Sequence, residues 1–222
     1  MNPAELKAWR KAERDRLLAA RDALAAPVVD AYRRQIDAHL ERAFPGLRGI
    51  AFAFCWPIRN EYDARHLAKT LREAGALTAL PVVVAPKTPL IFREWHPGVG
   101  LAEGALKIPY PVNSRQVEPK AVLLPMNGWD AQGYRLGYGA GFFDRTLASL
   151  KEKPLVIGVS YEMARIPTIH PQSWDIPADY VVTERGVYRR DGEDLVFLGV
   201  PGATSELASP VCYADERLLR GD

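Results

Sequence analysis

The chain of 222 residues has only two cysteines, Cys55 and Cys212, far apart in sequence. That spacing argues for a reducing compartment and against a disulfide framework. Cys55 sits in an apolar run and is expected to act as a small buried hydrophobe. No apolar stretch is long enough to span a membrane, and the charged N-terminus lacks the apolar core of a secretory leader. The expected location is therefore the cytoplasm, with no membrane partner. A charge excess is missing too: the net charge is +2 and the pI about 8.5. So mild a balance gives no reason to expect nucleic acid or an anionic surface as partner. Internal repeats and low-complexity linkers are absent. What remains is 48% hydrophobic and 25% charged residues, enough for one good core.

Residues 4–24 carry Leu6, Trp9, Leu17 and Leu24 among many charges, the pattern of an amphipathic helix, and residues 28–42 continue it after Pro27. Beyond them, strand-like and helical segments alternate. Strands are expected at 50–55, 79–85, 90–93, 120–125, 155–160 and 180–183, and helices at 63–74 and 142–150. Short apolar strands separated by helices argue for an α/β layered fold with a buried sheet. Residues 187–200 hold an Arg-Asp-Gly-Glu-Asp turn between β-prone arms, an expected edge hairpin. The reading is a single domain over residues 1–200, with N-terminal helices in 1–45 and a tail over 201–222.

The most informative stretch runs from Gly133 to Arg145. Gly137, Gly139 and Gly141 alternate between a strand-like run that ends at Pro125 and a helix marked by Phe143, Leu147 and Leu150. Glycines there let the backbone approach phosphate oxygens, and the following helix N-terminus offers free N–H groups and the positive end of its dipole. Arg135 and Arg145 add fixed positive charge. Asp144, early in the helix, suits a magnesium ion beside phosphates. The spacing is not that of the dinucleotide fingerprint, and no Gly-Lys-Ser/Thr closes a Walker A loop. A tight structural turn is the competing reading of the glycines alone.

The run from Leu124 to Leu147 resembles the signature of the 5-formyltetrahydrofolate cyclo-ligase (5,10-methenyltetrahydrofolate synthetase) family. Its Arg-Leu-Gly-x-Gly-x-Gly core, followed by two aromatics and an aspartate, is matched by Arg135 to Asp144, with Pro125 and Trp129-Asp130 ahead of it. Trp56 to Asp63, Leu80 to Val83, Ile157 to Tyr161, Asp175 and Val182 to Glu184 are similar in the family's order. The resemblance covers most of residues 50–187 and implies a three-layer α/β/α domain around a mostly parallel sheet. It has no counterpart for the tail after Pro201, which is expected to be mobile.

The reaction implied is an ATP- and magnesium-dependent ring closure. ATP phosphorylates the formyl oxygen of 5-formyltetrahydrofolate, N10 attacks the activated carbon, and 5,10-methenyltetrahydrofolate, ADP and phosphate result. Such chemistry needs positioning and charge neutralisation more than a side-chain nucleophile. By resemblance, Arg10, Arg135, Leu136, Gly137, Tyr138, Gly139, Ala140, Gly141, Phe142 and Phe143 bind ATP. Glu61, Tyr138, Gly139, Ala140, Gly141 and Phe142 border the folate, Arg135 and Arg145 are catalytic, and Asp144 and Asp175 hold Mg2+. Asp179 is a nearby rival to Asp175, whose Trp174-Asp175-Ile176-Pro177 context also reads as a turn. Glu61 has a competing reading as a solvated loop carboxylate. Trp56 and Trp95 could stack on the substrate, with core packing as the alternative.

Several positions depart from the family pattern. Lys7 is one residue too close to Arg10, which turns it by about 100° on a helix and favours Arg10 as the ATP contact. Phe142-Phe143 replaces two tyrosines, Ala140 requires a negative φ at its position, and Met163 stands where a glutamine is common. These departures keep open a non-catalytic folate- or nucleotide-binding protein on the same fold, and an ATP-dependent enzyme for another N-formyl or amide substrate.

Overall fold

The structure is a computed structural model and describes residues 1–104 and 107–202. Apart from Pro201 and Gly202, the expected tail lies outside the described residues, as does Cys212.

Local sequence explains where the helices begin. Helix α1 (Pro3–Asp22) starts with a capping box. The Asn2 side chain accepts from Ala4 N at 3.0 Å and Glu5 N at 2.9 Å, and Glu5 accepts from Asn2 N at 2.8 Å. Pro3 and Pro27 stand in the first turns of α1 and α2 (Ala26–Ala43), where a missing N–H costs nothing. Before α3 (Arg65–Glu73), Asp63 accepts from Arg65 N at 3.1 Å. Helix α4 (Phe142–Ser149) follows Gly141, which is left-handed at φ +64°.

The strands are β1 (Ala51–Ala53), β2 (Leu77–Val82), β3 (Ile91–Glu94), β4 (Leu101–Glu103), β5 (Pro109–Pro111) and β6 (Ala121–Pro125). They continue as β7 (Gly128–Trp129), β8 (Arg135–Leu136), β9 (Leu155–Val159), β10 (Tyr180–Thr183), β11 (Gly186–Asp191) and β12 (Asp194–Gly199). Eight of them form one sheet in the order β12-β11-β10-β9-β6-β1-β2-β3. The centre, β10-β9-β6-β1-β2, is parallel, and antiparallel strands close both edges.

Alternate residues of each strand face opposite cores. Leu123 and Ile157 pack with Ile36, Leu40, Leu67 and Leu71 of α2 and α3. Val122, Leu124 and Val156 pack with Leu17 of α1 and Leu147 of α4. The sheet is thus the middle of three layers. Burial on both faces is why β6 and β9 read as unbroken apolar runs instead of alternating ones.

The expected edge hairpin is β11–β12, joined at the Asp191–Asp194 pair, with β12 on the outside. The strand expected at 79–85 begins earlier and stops at Val82; Val83 and Val84 are exposed. The small pairs β4–β5 and β7–β8 had no expectation, since strands of two or three residues are too short to show a period. Cys55 is half-buried, not fully enclosed. Its low-dielectric surroundings, with Glu61 adding to the effect, push the thiol pKa up, so it stays protonated.

Candidate functional site

Strand order reverses between β1 and β6: β2 and β3 lie on one side, β9 to β12 on the other. In open α/β sheets, the crevice at the C-terminal ends of such a pair is the ordinary place for a ligand. Here it is lined by Leu17 and Arg21 of α1, Glu61 after β1, Pro125 to Asn127 at the end of β6, and Ser160, Tyr161 and Met163 after β9.

Glu61 is only 6% exposed, which settles its competing reading as a solvated loop carboxylate. Its Oε2 accepts from Ile58 N at 3.1 Å and its Oε1 from the Tyr138 hydroxyl at 2.9 Å, with Arg21 Nη2 at 3.5 Å. Burial raises its pKa, and Arg21, the Ile58 N–H and the Tyr138 phenol pull against that without cancelling it. Such a group accepts hydrogen bonds strongly from a flat N–H donor edge.

The glycine loop leads into α4 as expected, but the strand directly ahead of it is the short β8 and not the run ending at Pro125. Gly139 has φ +92°, and a Cβ there would sit 3.3 Å from Arg14 Nη2. Arg14 Nε in turn donates to Gly137 O at 2.6 Å, so α1 backs the loop. Ala140 is not among the positive-φ residues, which is why alanine is accommodated. Tyr138, Gly139 and Ala140 are exposed, while Gly137, Gly141, Phe142 and Phe143 are half-buried. Leu136 is 2% exposed and belongs to the core, so only its backbone faces the loop. No side chain caps the start of α4, leaving its first N–H groups open to an anion.

The charged residues fall into two joined pairs. Arg135 donates to Ile176 O and to Asp144 Oδ1, each at 2.7 Å, and Asp144 Oδ1 also accepts from Ile176 N at 3.1 Å. Next to Ile176, Asp175 Oδ2 accepts from Arg10 Nη2 at 2.6 Å and Gln172 N at 2.7 Å. Arg10 also holds Ile169 O at 3.1 Å and His170 O at 2.8 Å. Both carboxylates therefore meet at residues 175–176, each with its second oxygen outside these bonds. The Asp179 carboxylate accepts from Val156 N at 2.8 Å, beside the β9–β10 ladder. Arg145 folds back over the loop, donating to Ala140 O, with its guanidinium 5.4 Å from the Phe142 ring and its buried Nε without a partner among the described residues.

The remaining expectations sort by burial. Lys7 is exposed. Trp95 is a core residue, edge-on to Phe54 at 5.2 Å, and Trp56 lies under the Arg65 guanidinium at 4.6 Å. Trp129 and Asp130 are buried; Asp130 accepts from Gln132 N, Tyr134 N and Ile169 N, fixing the turn that presents Ile169 to Arg10. Sequence reasoning missed Arg14, Arg21 and Asn127. A signal was there: Arg10, Arg14 and Arg21 share one helical face with Leu17, which puts arginines in an apolar stripe.

Comparison with known proteins agrees with this geometry. Residues 6–184 match the model of the 5-formyltetrahydrofolate cyclo-ligase family. The 5-formyltetrahydrofolate cyclo-ligase of Escherichia coli K12 is 33% identical over 136 residues, covering 58% of this chain and 75% of that protein. The Mycolicibacterium smegmatis protein of the same name is 32% identical over 140 residues, 59% of this chain and 72% of its own. The NMR structure of Aquifex aeolicus 5,10-methenyltetrahydrofolate synthetase superposes with a TM-score of 0.72 at 28% identity, over 85% of this chain and 97% of that one. A family match that spans most of the chain leads to one conclusion: the chain belongs to the 5-formyltetrahydrofolate cyclo-ligase family.

Proposed function

We propose that this protein is an ATP- and Mg2+-dependent 5-formyltetrahydrofolate cyclo-ligase that yields 5,10-methenyltetrahydrofolate, ADP and phosphate. It works in the cytoplasm as a single domain over residues 1–200, on a small reduced folate and without nucleic acid or membrane. The observation that carries the reading is the Tyr138–Glu61 bond, which joins a glycine loop suited to phosphates to a crevice suited to a pterin.

The residues present fit the co-substrate and the metal. The loop is open above Gly137, where a Cβ would meet nothing within 4 Å. The uncapped start of α4 offers open donors beside it, and the Arg145 guanidinium lies over the same loop. No group of three or more His, Cys, Asp or Glu side chains gathers as a metal site among the described residues. Magnesium is commonly held by one or two carboxylates plus phosphates and water, which Asp144 and Asp175 can supply. When bound, it would neutralise charge on the transferring phosphoryl group.

The chain's own part is to bind and orient. Loop N–H groups and the α4 terminus cradle phosphate oxygens, while Arg145 offers donors to charge that develops in transfer. Arg10 and Arg135 hold the Asp175 and Asp144 carboxylates in place by hydrogen bonds. Glu61 accepts from the N–H edge of the pterin and so orients the formyl oxygen toward the loop. The test is direct: purified protein with ATP, magnesium and 5-formyltetrahydrofolate, followed by methenyl absorbance. Growth of that absorbance with matching ADP release is expected. Tight folate binding with no product would favour the non-catalytic binder instead.

A further inference from the structure

Arg21 closes the last turn of α1 and is 7% exposed. A charge so deep needs partners, and it has four of them on three separate pieces of chain. Its Nε donates to Arg59 O at 2.8 Å, Nη1 to Asn127 Oδ1 at 2.9 Å and Nη2 to the Tyr138 hydroxyl at 3.0 Å, with Glu61 Oε1 at 3.5 Å. One guanidinium thus meets the turn before Glu61, Glu61 itself, the end of β6 and the glycine loop.

The turn adds a second, independent observation. Arg59 and Asn60 both have positive φ, 50° and 57°, a region that side-chain-bearing residues occupy at a cost. Both carbonyls are pinned, Arg59 O by Arg21 and Asn60 O by the Tyr161 hydroxyl at 3.0 Å. Glu61 therefore follows a strained turn that Arg21 helps to hold. The titratable groups around Glu61 are Arg21 from α1, Tyr138 from the loop, Tyr161 after β9 and Cys55 after β1. Burial pushes the two phenols and the thiol up, so they stay neutral and Arg21 is the cation of the group.

We propose that Arg21 is a positioning residue that holds Glu61, the turn presenting it and Tyr138 as one unit, setting the crevice and the glycine loop together. What the two halves bind rests on the cyclo-ligase reading; the unit itself does not.

The variants are Arg21→Gln, which removes the charge, and Arg21→Lys, which keeps it but loses the planar fork. In ligand-free protein carrying 13C-labelled glutamate, the Glu61 carboxyl is titrated by NMR, its signal identified by loss in Glu61→Gln. Its titration should move to higher pH in Arg21→Gln and return toward wild type in Arg21→Lys. In turnover, Arg21→Gln should raise the KM for 5-formyltetrahydrofolate roughly tenfold, with the acid limb of kcat/KM displaced upward. Arg21→Lys should restore that limb and only part of the KM. Identical Glu61 titrations in wild type and Arg21→Gln overturn the proposal, as does a fall in melting temperature with KM and acid limb unchanged. Should Arg21→Gln not fold, Arg21→Lys decides alone, and a wild-type KM in it overturns the proposal. A wild-type protein without turnover refutes the cyclo-ligase reading, while the titration still decides the role of Arg21.

Discussion

The Tyr138 hydroxyl donates to Glu61 Oε1 at 2.9 Å while accepting from Arg21 Nη2 at 3.0 Å. A residue of the glycine loop thereby ends in the crevice across from it, although the residue as a whole is 37% exposed. Tyr138→Phe removes a hydrogen bond to a charged group, worth about 1.5–3 kcal/mol. The expected result is a lower melting temperature, since the bond is made within the fold, together with 5-formyltetrahydrofolate affinity weaker by about tenfold or more, measured by calorimetry. An unchanged affinity would separate the loop from the folate.

Asp144→Asn keeps the shape of the side chain, and shape alone would leave stability untouched. The ion pair argues otherwise, because the Arg135 side chain is 6% exposed and would lose its anionic partner. Asparagine can still accept one bond, so the expected loss is about 1–3 kcal/mol, less than for full removal of a buried partner. Turnover should fall by a larger factor than stability alone explains, and extra magnesium should recover part of it. Chemical denaturation and magnesium-dependent kinetics on one preparation separate the two effects.

At Gly139, φ +92° and the Arg14 guanidinium 3.3 Å from a would-be Cβ both resist a side chain. Gly139→Ala is expected to cost about 1–3 kcal/mol locally. Because Arg14 also holds Gly137 O, the loop should loosen as a whole. ATP affinity should drop more than folate affinity; equal losses by calorimetry would mean that the loop does not favour the nucleotide.

His39 supplies a stability prediction far from the chemistry. It is 5% exposed, with Nδ1 3.0 Å from Thr183 O, and burial lowers its pKa below the ordinary 6.5. The unfolded chain therefore binds a proton first as pH falls, so this group's contribution is intact above about 6.5 and declines below it, toward the lower folded value. His39→Gln does not titrate. Its melting temperature should lie below wild type at pH 8, and the gap should narrow from pH 6.5 downward. A gap that stays constant to pH 5 would contradict the assignment.

Much of this was written locally. The cap at Asn2, the apolar runs of β6 and β9, the Asp-Gly turn of the edge hairpin and the glycine loop each depend on neighbours within a few residues, so their patterns survive in one dimension. The different settings of Asp175 and Asp179 did not, because Asp175 is held by Arg10, a residue of the first helix. Arg21 could be seen on an apolar helix face, but its partners could not: they lie 38, 106 and 117 residues away, and only the folded sheet brings them to one point. Strands β7 and β8 owe their existence to that same assembly, being too short to announce themselves.

Helix α1 approaches β7 closely: a Cβ on Gly128 would fall 2.6 Å from Leu17 Cδ1. Leu17 is 3% exposed and has little room to swing aside. Arg10, Arg14 and Arg21 ride on this one stiff rod, spread over about 16 Å, and they touch the Asp175 turn, the glycine loop and the Glu61 crevice respectively. Gly128 is thus a fulcrum. A methyl group there has to push Leu17 aside, and what the packed core does not let that side chain absorb passes to the rod that carries all three contacts, so effects of Gly128→Ala and of the arginine substitutions should fail to add.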